Sequence, residues 1–175
     1  MPGVLGLGIL LQAGWIPVKA HLAQWMIAAA WESGRALPPW PWADTRPVGR
    51  LRWREGGIDQ LVLDGGSGES LAFGPARLAG SAPPGRTGIV AIAGHRDTHF
   101  RFLAELEAGA ELELETADGT VRQYAVKSSR VIDSQREPLW IGGDALVLVT
   151  CYPFAAFSGG GPLRYVVTAR PMSQK

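Results

Sequence analysis

From Val48 onward, short apolar runs alternate with clusters of Gly, Pro, Asp and Ser, which is the punctuation of a β protein. Strands are expected near Arg50–Arg54, Ile58–Leu63, Ile89–Ala93, Glu111–Thr116, Val121–Val131, Leu146–Cys151 and Leu163–Ala169. Strands this short and this numerous point to an all-β barrel or sandwich. Glu111–Thr116 alternates strictly, so its glutamates form a solvated face rather than a metal or acid–base cluster. Ala117-Asp118-Gly119-Thr120 places an Asp-Gly step between two strand patterns, so those strands pair as an antiparallel hairpin. Phe100–Leu106 suits a short helical turn, while Ser81–Gly85 and Ser158–Pro162 read as loops. No internal repeat is present.

The first 46 residues have another texture. Met1–Val18 carry no side-chain charge, and Val4–Leu11 is almost wholly apolar. A spanning helix needs about 20 apolar residues, so this stretch is marginal in length, and Gly3, Gly6, Gly8 and Gly14 weaken it. No basic flank precedes Lys19 to orient it, and a cleaved signal peptide would need such a flank, so an uncleaved membrane anchor is expected. Ala20–Trp31 sets Leu22, Trp25, Met26 and Ala29 at helical spacing, with His21, Gln24 and Glu32 elsewhere on the cylinder. That amphipathic helix either lies at the lipid interface, with Trp15 and Trp25 at headgroup level, or packs on the domain. His21 reads as an interfacial polar residue.

Pro38-Pro39-Trp40-Pro41-Trp42 stops the helix and makes a stiff spacer, or a segment that recruits a partner. The expected division is residues 1–46, a helical anchor with its Pro/Trp-rich spacer, and residues 47–175, the β domain.

Length adds that 175 residues hold one domain and an extra segment, not two full domains. Lys and Arg number 17 and Asp and Glu 16, a net charge of +1 that offers no broad cationic field for a phosphate backbone, so nucleic acid is not an expected partner. With 46% apolar and 19% charged residues, the chain has ample material for a core. A single cysteine, Cys151, excludes an internal disulfide and a multi-thiolate zinc site.

That thiol is either a small core residue or a reagent. Cys151 ends the apolar run Leu146–Cys151 and is followed at once by Tyr152-Pro153, so it stands where a buried strand gives way to a loop. Ile89–Ala93 reads as a second buried strand, and Gly94-His95-Arg96-Asp97 delivers an imidazole at its end. Thiol and imidazole, with unperturbed pKa values of about 8.5 and about 6.5, can form a thiolate beside an imidazolium, which suits nucleophilic attack followed by protonation of a leaving amine. If Leu146–Cys151 and Leu163–Ala169 pair antiparallel across the loop Tyr152–Pro162, Arg164 faces Cys151 at the loop's mouth. There a permanent cation would bind a substrate's backbone and offset negative charge on a tetrahedral oxyanion.

These residues resemble the sortases, membrane-anchored cysteine transpeptidases of the cell envelope. Leu148-Val149-Thr150-Cys151 is similar to the family's Thr-Leu-x-Thr-Cys signature, Gly94-His95-Arg96 to its catalytic-histidine segment, and Leu163-Arg164-Tyr165-Val166-Val167 to its arginine-bearing strand. Four further blocks resemble the Gram-negative subgroup called class GN: Trp15-Ile16-Pro17-Val18-Lys19-Ala20, Leu71-Ala72-Phe73-Gly74-Pro75, His95-Arg96-Asp97-Thr98-His99-Phe100 and Thr150-Cys151-Tyr152-Pro153-Phe154. Val147 stands where the family signature has Thr, and Ser158-Gly159-Gly160-Gly161 replaces an asparagine-containing turn of many Gram-positive members, so substrate clamping does not carry over.

The resemblance implies a closed eight-stranded β-barrel with Cys151, His95 and Arg164 around a groove. It implies a thioacyl intermediate formed on a C-terminal sorting signal and resolved by an amine acceptor of the envelope, with no metal or organic cofactor. It also implies an inner-membrane anchor and a catalytic domain on the periplasmic side. Thr150, Asp97 and His99 are expected along the groove.

Other readings stay open. His95 and His99 flank Asp97, but His95 follows a strand directly and no HExxH pattern is present, which disfavours zinc hydrolysis. A cysteine peptidase would differ only in using water to resolve the intermediate. A noncatalytic envelope β domain would keep Cys151 as core filler.

Overall fold

The computed structural model describes residues 22–34, 37–65, 68–139, 142–156 and 161–172. The uncharged stretch Met1–Val18, Trp15, His21 and Ser158-Gly159-Gly160 lie outside them. The strands are β1 (Pro47–Trp53), β2 (Ile58–Asp64), β3 (Ala76–Arg77), β4 (Ile89–Ala93), β5 (Glu111–Glu115), β6 (Val121–Asp133), β7 (Ala145–Cys151) and β8 (Leu163–Pro171). They close into a barrel in the order β1-β2-β3-β4-β7-β8-β6-β5. Every strand expected from the sequence is present, within a few residues at its ends. The eighth, β3, is a two-residue bridge that carries no periodicity of its own. It closes the barrel by pairing parallel to β2 and antiparallel to β4.

The pleat separates two apolar layers. Val90, Ile92, Leu146, Leu148, Val167 and Ala169 belong to the main core with Phe100, Leu103 and Tyr124. The alternate positions Ala91, Val147, Val149 and Val166 form a second cluster with Ile132 on the other face. Both faces of β4 and β7 are therefore covered, and these two strands pair parallel, which explains why both read as unbroken apolar runs.

The hairpin forms as expected, with Glu115 opposite Val121 and Thr116 N–H donating to the Thr120 carbonyl. Leu112 and Leu114 are buried, and the glutamates of β5 point away from them. Two of those glutamates are not merely solvated. Glu113 takes both arms of Arg54 at 2.8 and 2.7 Å, and Glu115 pairs with Arg52, because β1 lies directly alongside. The Arg54 guanidinium holds the Glu113 carboxyl below the usual carboxylate range. The helical turn near Phe100 is a 3₁₀ turn, Arg101–Ala104.

Helix α1 covers residues 22–32 and packs on the barrel, but through a different face than the spacing suggested. Ala23 and Ile27 are buried, and Ile27 joins Leu63 and Ala76 in a third cluster flanked by Trp40 and Phe73. Leu22 and Trp25 are 52% and 67% exposed. Ile27 packs on the barrel wall beside Leu63 and Ala76, while the Trp25 indole stays outside. Gln24 donates to the Phe73 carbonyl, at the end of helix α2 (Gly68–Phe73). Trp40 stacks edge-on to Phe73 at 5.5 Å, so part of the Pro/Trp segment is fastened to the domain, while Trp42 is fully outside. Among the described residues no helix is long and apolar enough to cross a membrane.

Candidate active site

Two ladders fix where Cys151, His95 and Arg164 stand. In the antiparallel pairing of β7 with β8, Cys151 lies directly opposite Arg164. In the parallel pairing of β4 with β7, Ala93 lies beside Val149, and Gly94 N–H continues the ladder to the Val149 carbonyl at 3.2 Å. His95 and Cys151 each follow two residues beyond the Ala93–Val149 pair, so the same register sets them at neighbouring strand ends. Pleat parity puts Cys151 and Arg164 on the same face as Val149 and Val166, the outer layer of the barrel wall. The topology thus gathers positions from three strand ends onto one rim.

Cys151 is the first residue of β7 that is not buried, after six that are. A sealed core filler would lie further back on the strand. His95 is exposed and Arg164 half-buried. The Arg164 Nη1 donates to the carbonyls of Gly161, at 2.6 Å, and Leu163, at 2.9 Å, which holds the guanidinium at the mouth of the β7–β8 loop.

Gly94 has a specific task at this turn. A Cβ there would meet the ring of the fully buried Phe100 at 2.7 Å, so only glycine lets Phe100 close under the histidine segment. Phe100 N–H then donates to the His95 carbonyl at 2.9 Å.

The three residues expected along the groove separate. Thr150 is buried, and its hydroxyl donates to the Gly94 carbonyl at 2.7 Å, so it ties β7 to β4. Its side chain alternates inward because Cys151 points outward. Asp97 is exposed and forms part of the wall of a cavity of about 510 Å³, with Arg101, Glu105 and Phe154. His99 is half-buried, its Nδ1 3.4 Å from the Thr98 hydroxyl and its carbonyl accepting from Gln60.

Burial of its ring, and then the nearby His95, hold His99 below the ordinary histidine value. The unfolded chain therefore takes up this proton before the folded one does. Stability should be full above the ordinary histidine value and decline as pH falls through it, until the folded ring also protonates. Urea unfolding between pH 5 and 8 should show that slope flattened in His99→Gln; an equal slope in the variant would contradict it.

Two further features surround these positions. Arg96 is 5% exposed, with Nη1 donating to the Pro153 carbonyl at 2.8 Å and Nη2 to the Ala156 carbonyl at 2.7 Å. Tyr152, Phe154 and Tyr165 form an aromatic cluster with ring centroids 5.1 to 6.3 Å apart, and Phe154 and Tyr165 pack against the main core. Tyr152–Pro153 is a cis peptide. A larger cavity, about 940 Å³, lies between the β1–β2 turn and the approach to β5, and none of Cys151, His95 or Arg164 lines it. Among the described residues no group of three or more His, Cys, Asp or Glu side chains is placed to share a metal ion.

The sortase domain family matches residues 54–172. Sortase D of Bacillus subtilis is 31% identical over 109 residues, 61% of this chain and 54% of the relative, so the chain spans about half the length of that curated relative. A Sortase D5 transpeptidase of Clostridium perfringens superposes with a TM-score of 0.70 at 18% identity, over 87% of this chain and 99% of that one. Sortase A from Corynebacterium diphtheriae superposes with a TM-score of 0.67 at 22% identity, over 77% of this chain and 64% of that one.

Proposed function

The chain belongs to the sortase family, and from that premise we propose that it is a cysteine transpeptidase using Cys151, His95 and Arg164. The observation that carries the reading is the strand register, with Cys151 opposite Arg164 and beside the end of the strand that leads to His95. In the first half-reaction the Cys151 thiolate attacks a backbone carbonyl of a C-terminal sorting signal. A C–S bond forms, and the carbonyl oxygen takes the electron pair as an oxyanion. Arg164 offsets that charge by donating from the guanidinium. As the oxyanion collapses, the C–N bond breaks and the His95 imidazolium gives its proton to the departing amine, leaving a thioacyl enzyme. In the second half an amine acceptor loses a proton to His95 and attacks the thioester, which releases the thiolate and a new amide.

The N-terminal segment serves as membrane anchor in this reading, with the barrel on the extracytoplasmic side, where sorting signals are displayed. Its support is the uncharged, largely apolar Met1–Val18. The class GN assignment rests on the four sequence blocks named above, two of which, His95–Phe100 and Thr150–Phe154, meet at the rim.

A peptide library of sorting-signal type, incubated with and without a primary amine, tests the function. The expected result is an intact-mass increase on Cys151 and a ligated amide when the amine is present. Cleaved acid alone, never the amide, would make the protein a cysteine peptidase instead. A thiol that resists a small electrophile under native conditions would point to the noncatalytic reading, but the half-buried position of Cys151 argues for reactivity.

A further inference from the structure

We infer that Arg96 is a positioning residue: its buried guanidinium locks the chain just after His95 to the chain just after Cys151, and so sets the imidazole against the sulfur. The inference rests on the transpeptidase reading of that pair. The parallel β4–β7 ladder reaches its last rungs at Gly94 N–H to the Val149 carbonyl and Thr150 hydroxyl to the Gly94 carbonyl. Beyond Thr150 the pairing of β7 with its other neighbour, β8, continues, with Tyr152 N–H donating to the Leu163 carbonyl at 3.1 Å. The two reactive residues therefore sit one step past the point where the sheet itself holds their strands together.

Arg96 carries the connection from there. It follows His95 directly, and its two Nη atoms bind the carbonyls of Pro153 and Ala156, in the first turn of the loop that Cys151 opens. Its Nε donates to the neighbouring Asp97 carboxylate at 3.0 Å. Acceptors on three sides give a buried cation what it needs to stay charged. They also fix its plane, since a guanidinium donates in a rigid fork and an ammonium does not. Phe100, packed against Gly94, holds the same segment from below. Removing the fork frees the post-cysteine turn and the histidine segment to drift apart without opening the barrel, because no rung of the ladder depends on it. A displacement of about 1 Å in such a pair costs on the order of 100-fold in rate.

The test compares Arg96→Met, which keeps the stem and loses every donor, with Arg96→Lys, which can reach one carbonyl at a time. Turnover of a sorting peptide per folded molecule should fall roughly 30- to 100-fold in Arg96→Met with KM within about threefold, and Arg96→Lys should recover to within about tenfold of the parent. Iodoacetamide alkylation of Cys151 reads the same pair without any peptide. It should slow about tenfold in Arg96→Met but slow no further when the substitution is added to His95→Ala. Parent-like turnover and alkylation in Arg96→Met would overturn the inference. So would an equal slowing in the His95→Ala background, which would mark Arg96 as merely bracing the loop. If the unsubstituted protein turns over no peptide, the transpeptidase reading fails, and the alkylation comparison still decides the role of Arg96. Should Arg96→Met fail to fold, Arg96→Lys in the two backgrounds carries the same comparison.

Discussion

Cys151→Ala should give a folded protein that forms no thioacyl adduct and releases no product from a sorting peptide. The side chain is half-buried at the strand end rather than part of either apolar layer, so its loss leaves the barrel intact and thermal unfolding within a few degrees of the parent. The chemistry is lost outright, because no other cysteine exists to replace the sulfur. Cys151→Ser is the sharper version: it keeps the geometry but swaps a thiolate for an alcohol that His95 alone must deprotonate, and a loss of at least about 10³-fold is expected. His95→Ala should remove the proton donor for the leaving amine and abolish adduct formation as well. Rapid-quench intact-mass spectrometry follows the adduct directly. Parent-like turnover by Cys151→Ala would end the case for covalent catalysis.

Arg164→Ala should lower kcat/KM by about 10²- to 10³-fold, the scale on which a lost oxyanion donor is felt. Arg164→Lys should recover little of it. The native guanidinium already spends Nη1 on the carbonyls of Gly161 and Leu163 and has further N–H groups left for a substrate oxygen. A lysine ammonium that took over those two carbonyls would have a single donor to spare and no planar fork to aim it. Thermal unfolding should shift only slightly, because Arg164 lies at the strand's start and on its outer face. Steady-state kinetics on one peptide, with circular dichroism to check the fold, measures both. A kcat/KM within threefold of the parent for Arg164→Ala would remove the arginine from the mechanism.

How much of this was legible in the sequence follows from where each feature gets its stability. Strands β5 to β8 show in the apolar periodicity because each buries one face or two, and the Cys151–Arg164 pairing follows from two adjacent strands joined by one loop. Strand β3 was invisible, since Ala76 and Arg77 have no pattern apart from the neighbours that pair with them. The contact face of α1 was misread for a related reason. Spacing counts apolar positions, whereas the face that meets the wall carries Ala23 and Ile27, with Ile27 against Leu63 and Ala76, and Trp25 points outward. The burial of Thr150 follows from a single residue of pleat: a neighbour of the thiol in sequence points into the opposite layer. Arg96 stands in two of the family-like blocks, but its bridging contacts carry no signal, because its acceptors are backbone carbonyls some 60 positions along the chain, and any residue there would have offered them.

The hairpin turn at Asp118-Gly119 sits at the end of the barrel opposite the thiol, because β6 runs the full height from Val121 beside that turn to Ile132 across from Arg164. Nothing lies within 4 Å of where a Gly119 side chain would begin. A peptide tag inserted there would tether the molecule to a bead or chip with its reactive mouth turned to the bulk liquid, leaving its single thiol free to meet thiol-selective probes.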